Sequence, residues 1–395
     1  MKRAISFLSY FCAIFRGVIT FIRIEREKAM KRVFIHAFMA GNLGDDLMVR
    51  ILCSRYPKVH FFVFADASYH TRYRDLKNLT VFAPEDRKTR VLNQAVRRLA
   101  GREDGARKFL MKTSHAAVHI GGSVFVQHLD DWSGFYAMDE QLVRLSRNLF
   151  VVGANFGPYT DPGYREQYRQ LFEGYRDICF RDSCSKKEFS QADNIRWAPD
   201  VVFQYKEIPK VSAERQVLFS VIDLTERGGK YPVSQYREVY EKFMKDLAVV
   251  FLKQGYRVKF ISFCRMQKDE EAARRIQKEI RKEVSFDTEL ICYDQNLEEC
   301  MQAFAASDMI VGTRFHSIIL GMCMEKKVLP VIYDYKTRNM LNDLFPYSGL
   351  EFGELEHLSA AQAAEQLKAS EPYRAEQAVR EAQEQFAALD RFLLS

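Results

Sequence analysis

The chain has 395 residues, of which 47% are apolar and 28% charged, with a formal net charge of +7. This balance excludes wholesale disorder, and the length predicts roughly two or three domains. The positive charge points to acidic partners, whether phosphorylated substrates, anionic lipid or nucleic acid, without choosing among them. The eight cysteines, at 12, 53, 179, 184, 264, 292, 300 and 323, contain no C-x-x-C pair. That spacing argues against zinc and dithiol redox chemistry, and several of them sit in apolar runs as reduced cytosolic thiols do.

The first segment, residues 4–24, has the length of a membrane span, but Arg16 falls near its middle. A central arginine costs about 2.5–3.5 kcal/mol even on gentle insertion scales. Phe7, Phe11, Ile14, Val18 and Phe21 share one helical face, and Ser9, Ala13, Arg16, Thr20 and Arg23 the opposite one. The pattern predicts a helix lying on the anionic cytoplasmic face of a membrane rather than crossing it. No small-x-small cleavage site follows, which argues against a secretory signal. Met30 is an alternative start, which would make residues 1–29 an over-extended annotation.

Beyond it, strand-like runs are expected at 33–38, 59–64, 117–120, 149–153, 178–180, 217–222, 257–263, 289–293, 308–311 and 328–333. Helical patterns intervene at 87–100, 136–147, 164–174, 234–254, 267–282, 296–306, 314–325 and 337–345. Such alternation predicts parallel sheets with helical crossovers. The polar, proline-bearing stretch around residues 206–215 reads as a linker between a domain at 30–205 and another at 216–370, with a charged Ala/Glu/Gln-rich helix at 371–395. The expectation is α/β, two doubly wound Rossmann-like domains facing a cleft, with ligands at the carboxyl ends of the strands.

The polar motifs fall where that architecture needs them. Gly41-Asn42-Leu43-Gly44-Asp45-Asp46 lies between the first strand and its helix. Its glycines allow a sharp turn, and Asp45 either caps the helix or takes a proton from a bound hydroxyl. His119-Ile120-Gly121-Gly122-Ser123 exposes amides and a hydroxyl, or is a plain turn; Gly153-Ala154-Asn155-Phe156-Gly157-Pro158 has the same placement. Ser183 or Ser185, after Arg181, could cap the next helix, and Ala198-Pro199-Asp200 reads mainly as a rigid turn before the linker. Gly312-Thr313-Arg314-Phe315-His316-Ser317 turns a strand directly into a helix. The unpaired N–H groups and positive dipole of that helix start make an anion site, to which Arg314 adds a planar fork and His316 a proton carrier. Lys336, after Tyr333-Asp334-Tyr335, is either a point charge for phosphate or a solvated lysine. The basic segment 87–112, with Val91, Leu92, Ala95, Val96 and Leu99 as an apolar stripe, is either a solvated face or a contact for anionic lipid or an acceptor diphosphate. No nucleic-acid-binding pattern accompanies the charge, so nucleic acid is not expected as a partner.

Together these segments resemble the polysaccharide pyruvyl transferase family over about 31–344, through Asn42-x-Gly44-Asp45, Gly121-Gly122, Gly157-Pro158, Arg181-x-x-x-Ser185, Pro199-Asp200, Arg314-x-His316-Ser317 and Tyr333-x-x-Lys336. Two local departures are Ser123, where a third glycine is common, and the loose turn 153–156. The resemblance implies a fold like that of GT-B glycosyltransferases and transfer of pyruvate from phosphoenolpyruvate onto two hydroxyls of a sugar, forming a ketal and releasing phosphate. It implies no cofactor beyond phosphoenolpyruvate as co-substrate, and no metal ligands. His316 is then the expected general acid and Asp45 the base, with Arg314 and Lys336 or Arg181 gripping phosphoenolpyruvate. Asn42, Gly44, Gly121, Gly122, Ser123, Asn155 and Ser317 are the further expected substrate-binding residues. The acceptor would be a glycan, free or lipid-linked, and the protein cytoplasmic and peripheral at the inner membrane face. A nucleotide-sugar glycosyltransferase of the same fold, or a non-catalytic scaffold in polysaccharide assembly, are the competing expectations.

Overall fold

The computed structural model describes residues 30–100, 105–225, 230–344 and 349–395. The helix expected within residues 1–29 lies outside them. Among the described residues, no helix is long and apolar enough to cross a membrane.

The first sheet has seven parallel strands in the order β3-β2-β1-β4-β5-β6-β7. They are β1 (Arg32–His36), β2 (His60–Phe64), β3 (Leu79–Phe82), β4 (Ala116–Ile120), β5 (Leu149–Ala154), β6 (Asp177–Phe180) and β7 (Ile195–Trp197). The second sheet has six parallel strands in the order β10-β9-β8-β11-β12-β13. These are β8 (Glu214–Ser220), β9 (Arg257–Ser262), β10 (Glu289–Cys292), β11 (Ser307–Gly312), β12 (Lys327–Ile332) and β13 (Leu350–Glu351). The central strands are buried on both sides because helices cover both faces: β4 and β5 are buried at every position. Each sheet reverses its winding beside its first strand, between β1 and β4 and between β8 and β11. At such switch points, loops leaving the carboxyl ends of neighbouring strands diverge and open a crevice.

The strand expectations missed β3, β7 and β13, which have four, three and two residues. All three are edge strands, only partly buried, and polar residues such as Thr80, Arg196 and Glu351 break the apolar run that marks an interior strand. The helices Gly105–Thr113 and Ala360–Ala369 were also not expected, and β8 begins at Glu214, two residues inside the expected linker.

The two domains share one apolar core. It runs from the helix Leu43–Arg55 through the turn Val201–Gln204 to the helix Phe315–Cys323 of the second domain, and on to the C-terminal helices. Those last helices, Glu376–Glu381 and Ala387–Leu393, return to the first domain, where Arg55 forms an ion pair with Asp390 and Gln385 accepts from the Gly153 amide at 2.9 Å.

A candidate active site in the interdomain cleft

The carboxyl ends of β1, β4, β5 and β6 face those of β11 and β12 across a cleft of about 680 Å³. Its lining includes Asn42, Asp45, Gly122, Ser123, Asn155 and Arg181 from the first domain, and Arg314, His316 and Lys336 from the second. Gly44, Gly121 and Ser317 back the site without lining the cleft.

The loop after β1 is strapped to the second domain. Leu43 N donates to Phe263 O at 3.0 Å, and Asn42 pairs with Cys264 in an isolated antiparallel bridge. Asn42, rather than Asp45, caps the helix, its Oδ1 accepting from Gly44 N at 2.9 Å and Asp45 N at 3.4 Å. The Asp45 carboxylate is thereby left to face the cleft. Burial raises its pKa above the usual carboxylate value, against the pull of His316, Arg181, Lys336 and Arg314. Gly44 is glycine for a steric reason: a Cβ there would stand 1.7 Å from His316 Nδ1. The imidazole packs directly against the start of the first-domain helix.

On its other side His316 Nε2 faces Asp200 Oδ2 at 3.7 Å, an ion-pair distance too long for a hydrogen bond, and Nε2 has no hydrogen-bond partner among the described residues. Asp200 is fully buried. Burial by itself would raise its pKa, but His316, Arg181 and the Val202 amide hold it down at about 2. It therefore stays ionised beside the imidazole. The turn expected to be merely rigid thus carries a charged group of the site. Its sequence signal was the Pro199-Asp200 element of the resemblance, which conveys no contact with a residue more than a hundred positions away.

Arg181 donates from Nη1 to Asp200 at 3.1 Å and from Nη2 to Asn155 Oδ1 at 2.6 Å, and stacks 4.0 Å over the Phe315 ring. Its Nε is buried and has no partner among the described residues. The helix after Arg181 is capped by Asp182, whose carboxylate accepts from Ser185 N at 2.8 Å, so neither Ser183 nor Ser185 is the cap. Arg314 is more committed than its sequence suggests. Its Nε donates to Asp269 Oδ2 at 2.8 Å, one terminal nitrogen reaches the other Asp269 oxygen, and the second reaches Gln267. Ser317 Oγ donates to the Arg314 carbonyl at 2.6 Å, a use within its own helix start. The helix Phe315–Cys323 has no side-chain cap, so its first N–H groups remain directed at the cleft. Lys336 Nζ lies 3.1 Å from Asp334 and 3.5 Å from Ser123 Oγ, bridging the domains. Burial lowers its pKa, but Asp334 reverses this and leaves it raised, so Lys336 is a cation at neutral pH.

The site therefore sets two buried guanidinium groups, an ammonium and an uncapped helix start around an imidazole held between two carboxylates. This suits a small polyanion and proton transfer to or from it. The architecture around it is GT-B-like. HepE of Anabaena, solved with UDP and glucose, superposes with a TM-score of 0.52 at 11% identity over 92% of this chain and 100% of that one. UDP-GlcNAc 2-epimerase of Neisseria meningitidis, solved with UDP-GlcNAc, gives 0.53 at 10% identity over 92% and 100%. A glycosyltransferase of Rickettsia africae gives 0.50 at 9% over 92% and 94%. These likenesses define the fold. The profile of the polysaccharide pyruvyl transferase family matches residues 42–335, so the chain belongs to that family.

Proposed function

We propose that this protein transfers pyruvate from phosphoenolpyruvate onto a vicinal or 1,3-related pair of sugar hydroxyls, giving a cyclic ketal and inorganic phosphate. The observation that supports it best is the convergence of Arg181, Arg314, Lys336 and the uncapped helix start on the His316 imidazole. Phosphoenolpyruvate carries a carboxylate and a phosphate on one small frame, and so calls for more than one cationic grip. Arg181, through its unpartnered Nε, and the Phe315–His316 amides take one anionic group; Lys336 and Ser123 take the other. Arg314, held by Asp269, contributes its field and its position at the helix start.

His316, set beside ionised Asp200, is the acid that gives a proton to the methylene carbon. C2 becomes electrophilic as the carbon–carbon π pair forms the new C–H bond. Asp45, a stronger base than an exposed carboxylate because burial raises its pKa, takes the proton of the first attacking hydroxyl. The C2–O bond to phosphate then breaks, and the second hydroxyl closes the ketal. One hydroxyl proton replaces the one given to carbon and the other leaves with phosphate. We further infer a lipid-linked acceptor approached from the inner membrane face. The helix Arg87–Ala100, with Arg87, Lys88, Arg90, Arg97 and Arg98 exposed on it, supports this as a surface for anionic lipid.

The test is calorimetry with phosphoenolpyruvate and UDP-sugars, followed by phosphate release with a panel of lipid-linked and soluble glycans. Wild type is expected to bind phosphoenolpyruvate and not the UDP-sugars. His316→Ala should bind phosphoenolpyruvate within a few-fold of wild type yet lose ~10²–10⁴ in phosphate release. Binding of a UDP-sugar without phosphoenolpyruvate would move the protein to sugar transfer instead.

A further inference from the structure

Behind the Gly121–Ser123 loop, on the face of the first sheet turned away from the shared core, two histidines stand side by side. His36 ends β1 and His119 lies in β4, paired in register, with ring centroids 4.6 Å apart. The helix Ser133–Leu145 brings Asp139 over them, its Oδ1 3.5 Å from His119 Nδ1. One ring nitrogen of each histidine and a carboxylate oxygen all lie within 4.8 Å of one another. The three residues are scattered along the chain, which is why cysteine and histidine spacing carried no hint of them.

His119 is 3% exposed, and its Nδ1, aimed at Asp139, has no hydrogen-bond partner among the described residues. A buried polar atom left unpaired is costly and calls for an explanation. The geometry points to a divalent transition-metal site formed by His36, His119 and Asp139, with zinc as the ion whose chemistry the set fits. Ligand atoms on a tetrahedral zinc are roughly 3.3–3.5 Å apart at bond lengths near 2.0–2.1 Å. The His119–Asp139 separation of 3.5 Å already has that value, and the widest separation needs to contract by little more than an ångström. Two imidazoles and one carboxylate suit zinc and leave a fourth position for water.

The surroundings fit as well. Tyr168 donates to the second Asp139 oxygen at 2.8 Å and would orient the carboxylate from outside the coordination sphere. The opposing group is Arg107, whose Nη2 sits 3.2 Å from His36 Nδ1. As a donor to that nitrogen and a positive charge, it competes with the ion. His36 is half-buried, so an ion has a route in from the surface. The site is a positioning device: it would tie β1, β4 and the covering helix together directly beneath the loop that carries Gly122 and Ser123.

The experiment uses tag-free full-length protein, purified without chelator or metal resin. Metal content is read by mass spectrometry, zinc affinity by competition with a chromophoric chelator, and geometry by the visible ligand-field band of substituted cobalt. About one zinc per chain is expected, with a tetrahedral cobalt band, and a weakening of at least roughly tenfold to a hundredfold in His119→Ala. Arg107→Gln removes the competing charge without removing a ligand, and should tighten zinc by roughly 5–10-fold. Wild type that binds neither zinc nor cobalt above the His119→Ala level would overturn the proposal. So would an Arg107→Gln affinity no tighter than wild type, which keeps the test decisive even if His119→Ala fails to fold.

Discussion

Gly122 has no side chain because Arg181 fills the space one would need. A Cβ at that position would lie 2.5 Å from both terminal guanidinium nitrogens. Gly122→Ala is therefore expected to push Arg181 off Asn155 and Asp200 without disturbing the strand that precedes it. Losing one charge-assisted contact of about 1.5–3 kcal/mol would weaken phosphoenolpyruvate by roughly 10–150-fold in calorimetry. Gly134→Ala, at a helix position with open space around it, should bind as wild type does and serves as the control. The residue types of the site were legible because glycines and charged groups stood directly after apolar runs. Their pairings were not. Asp269, which holds the Arg314 fork, is 45 residues away from it, and nothing local marks it as the partner. Asp200 was visible as a turn residue and as an element of the family motif, but not as a charged partner, because the charges it meets come from two other loops.

Adjacent carboxylates on one helix do different work. Successive side chains on a helix point about 100° apart, so Asp45 faces the cleft while Asp46 turns into the domain interface. There Asp46 accepts from Arg72 at 3.2 Å, Tyr73 at 3.1 Å and, across the interface, Tyr293 at 2.8 Å. Arg72 completes the crossing by donating to Asp294 at 2.9 Å. This network pins the loop after β1 to the second domain and so fixes Asp45 relative to His316. Tyr293→Phe removes one hydrogen bond to a charged acceptor, worth about 1.5–3 kcal/mol. Its urea transition is expected to come earlier, and an unchanged transition would mean the domains hold together without this bond. The strand–helix alternation that revealed both domains could not reveal this contact. Periodicity reports which face of an element is buried, not which partner buries it.

At the scale of the whole molecule, the last helices pack on the first domain, and Gln385, in the short 3-10 turn Ala382–Phe386 between them, braces the site from behind. Gln385, buried, donates from Nε2 toward the carbonyls of Phe180 at 3.0 Å, Ala198 at 2.7 Å and Pro199 at 3.2 Å, besides accepting from Gly153. It thereby holds the turn from which Asp200 projects. Gln385→Leu leaves these groups unpaired at about 1–3 kcal/mol each. A lower melting temperature together with weaker phosphoenolpyruvate binding is the expected pair of effects. Melting without a change in binding would show the turn to be held by other means. In the sequence, 371–395 read as a charged helix without a core of its own, since its apolar residues complete a core built mainly from residues far upstream.

That return has a consequence for how the protein is made. Arg196, at the edge of the first sheet, bonds to Glu384, 188 residues later. At about 5–20 residues per second, a ribosome needs roughly 10–40 s to cover that distance. Throughout that interval the nascent first domain carries an uncovered apolar face, while the second domain is being synthesised as an insertion within it. A chain released early would lack the segment that steadies Asp200, so an unfinished translation product would be both exposed to chaperones and unable to act on its substrate.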